Sequence, residues 1–165
     1  MMGKTRCLFL ATCLALLFAG CDELFYAGLS ETESTPDRPV FLLGKDDSIY
    51  HGMAKVYGFR LSGRPRKLPL RPDTANPWVE FWSAQADSGL RYIAVHKIAY
   101  GELPGRTFLV FGPDTLRAGF IYSFNPWYHG IGTAAYFEIT QDSSGARAIH
   151  ALTEEEFLAI IHDTL

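Results

Sequence analysis

The chain has 165 residues, with 18 acids against 15 lysines and arginines and a formal charge of −3. That balance argues against a nucleic-acid partner, which needs a basic footprint. The three cysteines, Cys7, Cys13 and Cys21, all lie in the first 21 residues. The stretch after them can form no internal disulfide and must be held by its own core, for which its roughly 145 residues suffice as a single domain.

The chain opens with Lys4 and Arg6 and no acid, runs through twelve uncharged residues at 7–18, "CLFLATCLALLF", and then meets Ala19 and Gly20. A cationic start, a short apolar stretch and small residues at its end predict a secretory signal peptide over residues 1–20. As a helix, twelve residues would reach about 18 Å, short of the roughly 30 Å hydrocarbon core of a bilayer.

The stretch "FAGC", residues 18–21, resembles the lipobox of bacterial lipoprotein precursors, with Phe18 standing where that family usually has leucine. The resemblance covers residues 1–21 and implies cleavage before Cys21, a diacylglyceryl group on its sulfur and an acylated amino group. The alternative is an ordinary secreted protein with a cysteine at its cleavage site. Each buried methylene contributes about 0.8 kcal/mol, so two or three chains on one residue anchor a protein without a spanning helix. In enterobacteria, resemblance to lipoproteins with Asp directly after the cysteine implies that Asp22, reinforced by Glu23, retains the protein in the inner membrane, facing the periplasm. The outer membrane is the alternative. Cleavage removes Lys4 and Arg6, leaving 13 cations against 18 acids and a formal charge of −5.

Residues 21–39 read as the lipidated cysteine followed by a tether, because 30–39, "SETESTPDRP", is polar and turn-rich. The apolar "LFYAGL" at 24–29 suits either lipid headgroups or docking on the domain. From Val40 to Leu165 a single β-rich domain is expected, with strands at 40–43, 54–61, 78–84, 90–100, 107–111, 118–124, 133–140 and 146–151. The last six form three strand–turn–strand units, read as antiparallel hairpins. Residues 90–100, apolar on both faces at their centre, read as a central strand. Thr153 with Glu156 three residues on forms a capping box, predicting a helix over 154–163 with Phe157, Ile160, Ile161 and Leu165 on one face. Seven or eight strands and one C-terminal helix predict an antiparallel β-sandwich, with a closed β-barrel as the alternative. Such a barrel would be similar to a lipocalin in architecture alone, since that family's Gly-x-Trp motif is absent. "NPW" occurs at both 76–78 and 125–127, read as recurrent turn chemistry.

No residue pattern marks a catalytic nucleophile, a phosphate loop or a metal site. His51, His96, His129, His150 and His162 are scattered without metal-ligand spacing. Neither a metal nor a cofactor is therefore expected. Glu80 and Glu138, within strands, are the carboxylates of interest. Two segments read as surface sites for an envelope protein or glycan. In "FNPWYHGIGT", residues 124–133, Trp127, Tyr128 and His129 stand between turn residues. Arg60, Arg64, Arg66, Lys67 and Arg71 share a proline-interleaved, acid-free stretch suited to anionic headgroups or an acidic partner. The expected function is a lipid-anchored, non-enzymatic binding or assembly component of the envelope. The alternative is an envelope enzyme or inhibitor with a cleft assembled by the fold.

Overall fold

The computed structural model describes residues 23–45, 52–67 and 77–163. Residues 1–20, expected to be a signal peptide, and Cys21, Asp22, His51, Arg71 and Leu165 lie outside the described residues. Eleven strands and one helix are present among those described: β1 Leu24–Leu29, β2 Val40–Lys45, β3 Ala54–Pro65, β4 Val79–Ala86, β5 Ile93–Val95, β6 Lys97–Ala99, β7 Thr107–Phe111, β8 Phe120–Tyr128, β9 Ile131–Gly132, β10 Ala135–Gln141, β11 Arg147–Leu152 and α1 Glu154–His162. They form two sheets. The smaller runs β6-β2-β1-β9 and the larger β11-β10-β8-β3-β4-β7, with β5 paired to the start of β3. The two sheets pack as a sandwich with largely antiparallel pairing; they do not close into a barrel.

Alternation of apolar residues builds the interior. Phe25 of β1 and Phe41 and Leu43 of β2 face Phe59, Leu61, Trp82, Phe124 and Phe137 of the larger sheet, and all eight are fully buried. Phe41 stacks on Phe124 with ring centroids 3.9 Å apart, and Phe59 meets Trp82 at 4.5 Å. Two bulges reset the alternation. One at Tyr57 lets Val56 and Phe59 both point inward, and the other, opposite Leu61 and Ser62, turns Phe81 and Trp82 in together.

The β10–β11 hairpin forms as expected, its turn closed by Asp142, whose Oδ1 accepts from the Ser144 and Ala146 amides at 2.8 and 3.0 Å. The other two predicted hairpins do not. β4 pairs with β3 and β7, β7 pairs with β4, and β8 lies between β3 and β10.

Nor is 90–100 a central strand. It breaks at His96 into β5, which pairs with β3, and β6, which pairs with β2. Burial changes parity there, from Ile93 and Val95 before the break to Ile98 and Tyr100 after it. Its apolar residues on both faces reflect a strand crossing between sheets. His96 holds the corner, with Nδ1 2.9 Å from the Leu43 carbonyl.

The reach read as tether is structured from Glu23 onward. β1 pairs antiparallel with β2 from Phe25↔Lys45 to Leu29↔Phe41, and parallel with β9 at Leu24↔Ile131. "LFYAGL" thus docks on the domain as the inner strand of the smaller sheet. Residues 30–39 form its turn into β2. The Ser30 amide donates to the Val40 carbonyl at 2.8 Å, and Ser34 Oγ accepts from the Val40 amide at 2.9 Å. Three of the four charges that suggested a solvated linker find opposite partners: Glu33 with Lys97, Arg38 with Glu102 and Asp37 with Arg147.

Helix α1 starts where the capping box places it. Thr153 Oγ1 accepts from the Glu156 amide at 3.2 Å, while Glu156 Oε2 accepts from the Thr153 amide at 2.8 Å. The helix lies on the outer face of the larger sheet, where buried Phe157 stacks on Tyr136 at 4.1 Å.

Candidate functional site

Side chains of β3, β8 and β10 that point away from the sandwich interior meet Trp78 and α1 in an open cleft of about 290 Å³. Arg60 and Ser62 of β3 and Ser123 and Asn125 of β8 make its polar floor; Trp78, Trp127, Tyr136 and Phe157 make its walls. Strand parity sets the floor. Phe59 and Leu61 face inward, so Arg60 and Ser62 face out; Phe124 faces inward, so Ser123 and Asn125 face out.

Trp127 rests against Gly58, where a Cβ would come 2.8 Å from its ring and 2.5 Å from the Ala84 carbonyl. Only glycine admits that approach. The Arg60 guanidinium lies 5.7 Å over the Trp127 ring and its Nε is 3.3 Å from Glu80. Asn125 Nδ2 donates to Ser123 Oγ at 2.7 Å. Trp78 is 5.8 Å from Phe157, closing the opposite wall. Burial, and then the nearby Glu154 carboxylate, raise the Tyr136 phenol above its ordinary value, keeping it a neutral hydroxyl donor at physiological pH. The cleft therefore sets the partly exposed rings of Trp78, Trp127 and Tyr136 beside neutral and cationic hydrogen-bonding groups, which suits a polar ring.

The structure separates the residues singled out from the sequence. The 124–133 stretch is not a loop throughout: residues through Tyr128 belong to β8, and only the following turn is irregular. Trp127 enters the cleft. Tyr128 packs instead on Phe25 with centroids 5.4 Å apart and donates to the Thr133 carbonyl at 3.0 Å. His129 is exposed at the strand end, 3.0 Å from the Tyr57 hydroxyl.

Nor is the cationic stretch one surface patch. Arg60 and Arg64 belong to β3, and Arg64 is fully buried on the outer face of the sheet, 6.0 Å from the Trp78 ring. Its burial lowers its pKa from the ordinary value. It cannot meet an incoming surface directly. Arg66 is engaged by Glu138, while Lys67 is exposed. Glu80 is held by Arg60 and by Ser83 Oγ at 2.5 Å, so both carboxylates of interest are internally paired. No group of three or more histidines, cysteines or acids close enough to hold a metal occurs among the described residues.

Sequence reasoning found Trp127 and missed the other walls. The repeated Asn-Pro-Trp was the available signal, because its two tryptophans, Trp78 and Trp127, line the same cleft.

Compared with protein-family models, curated proteins and solved structures, the chain matches none. No helix among the described residues is long and apolar enough to cross a membrane.

Proposed function

We propose that this chain is a bacterial envelope lipoprotein, anchored by acyl chains on Cys21, that binds glycan through the cleft walled by Trp78, Trp127, Tyr136 and Phe157. The anchor rests on the "FAGC" resemblance, and Asp22 supports placement on the inner membrane, facing the periplasm. The cleft carries the binding half of the proposal. Sugar rings present apolar faces that stack on indole and phenol rings, while their hydroxyls exchange hydrogen bonds with groups such as Ser62, Ser123, Asn125 and Arg60.

Co-sedimentation of the purified protein with insoluble envelope glycan tests the binding. Retention should be saturable, and Trp127→Ala should weaken it by about tenfold, the upper range of one ring-stacking contact. Equal retention of wild type and variant would refute the site. The anchor is tested by labelled palmitate in the native host, which should enter wild type and not Cys21→Ser. Membrane fractionation of wild type and Asp22→Ser tests the placement: both together in the outer-membrane fraction would exclude Asp22 as a retention signal.

A further inference from the structure

The end of the domain where β1 begins gathers exposed apolar side chains. Leu24 and Ile131 are register partners on the outer face of the smaller sheet, 39% and 58% exposed. Met53, just before β3, is 58% exposed, and Tyr57 is 43% exposed with its hydroxyl on His129. Four contacts bring these segments together. Glu23 carboxylate oxygens take Lys45 at 3.0 Å and Lys55 at 2.7 Å, the Glu23 carbonyl accepts from the Ile131 amide at 3.1 Å, and Gly52 lies against the Lys45 side chain.

The sequence then sets what lies against this end. Glu23 is already fixed to the domain, and Cys21 precedes it by two residues. Two residues of fully extended chain reach about 7 Å. An acylated cysteine sits at the boundary between headgroups and acyl chains. Each headgroup layer is about 5–8 Å thick, so Glu23 is held within it or at its outer margin. The domain has no slack with which to stand off.

We propose that this end of the sandwich rests on the phospholipid surface holding the Cys21 acyl chains, with Leu24, Met53 and Ile131 inserted among the headgroups and Tyr57 at their level. The inference rests on the lipid-anchor reading of Cys21. Apolar side chains gain by leaving water at that depth, and a tyrosine there keeps its ring in the interface and its hydroxyl wet. The far end stands clear: from Val56 to Pro65, β3 rises about 30 Å.

The test places a fluorophore on single cysteines in the lipidated protein reconstituted into phosphatidylcholine–phosphatidylglycerol vesicles containing headgroup-spin-labelled lipid. With Cys21 acylated and Cys7 and Cys13 removed with the signal peptide, each introduced thiol is the only free one. Labels at Met53→Cys and Ile131→Cys should be quenched several-fold more than one at Ser143→Cys, in the exposed β10–β11 turn at the far end. Adding Leu24→Asp should reduce quenching at both near-end labels. Protein that floats with the vesicles yet quenches equally at all three positions overturns the inference while leaving the anchor standing. Protein that carries no acyl mass and does not float overturns both.

Discussion

Replacing Phe25 by alanine decides whether β1 belongs to the domain. Phe25 is fully buried, stacks on Tyr128, and sits where β1 meets both β2 and β9. Removing a ring from such a site costs about 3–5 kcal/mol through lost burial and the cavity left behind. That is a large share of the 5–15 kcal/mol that holds a typical domain. With a urea slope of about 2 kcal/mol/M, the midpoint should fall by roughly 1.5–2.5 M while the slope stays constant. Urea unfolding of the protein in mild detergent, followed by intrinsic fluorescence, reads this directly. Leu24→Ala is the control from the same strand; its side chain is partly in solvent and should cost less than about 1 kcal/mol. If Phe25→Ala shifts the midpoint no more than Leu24→Ala, the docking of β1 is refuted.

Thr153→Ala removes the hydroxyl that accepts the Glu156 amide and should cost about 0.5–2 kcal/mol, read as a lowered denaturant midpoint. Gly58→Ala forces a methyl against the Ala84 carbonyl and the Trp127 ring, and should cost about 1–3 kcal/mol and blunt cleft binding together. Hydrogen bonds from Lys55 and then Lys45 hold the Glu23 carboxyl below its ordinary value of 4.5. A depressed acid adds stability that is present above the unfolded-state value and is lost as pH falls through the folded one. Thermal unfolding from pH 6 down to pH 3 should therefore show a smaller loss of stability in Glu23→Gln than in wild type.

What was legible in the sequence was local. The capping box involves residues three apart and the β10–β11 turn closes over a few, so each carries its instructions within one window. β4 and β8 instead pair with β3, whose residues 54–65 are distant in sequence, and turn chemistry cannot report such a choice of partner. The strand over 90–100 looked continuous because its two apolar faces were read as one burial pattern, when a corner at His96 divides them. β1 was hidden by its polar neighbour 30–39, whose charges pair with residues as far away as Arg147. Of the cleft, Trp127 was visible as an aromatic beside turn residues. Tyr136 and Phe157 looked like ordinary strand and helix residues until α1 was laid over β10.

The position of β1 has a mechanical consequence. Its neighbours β2 and β9 grip it on both edges, and β9 holds it at its first two residues, Leu24 and Phe25. A pull along β1 would load the β1–β2 hydrogen bonds together, in shear, instead of peeling them one after another. Resistance to such a pull is set by the rate of unfolding, and this geometry makes β1 a hard strand to extract.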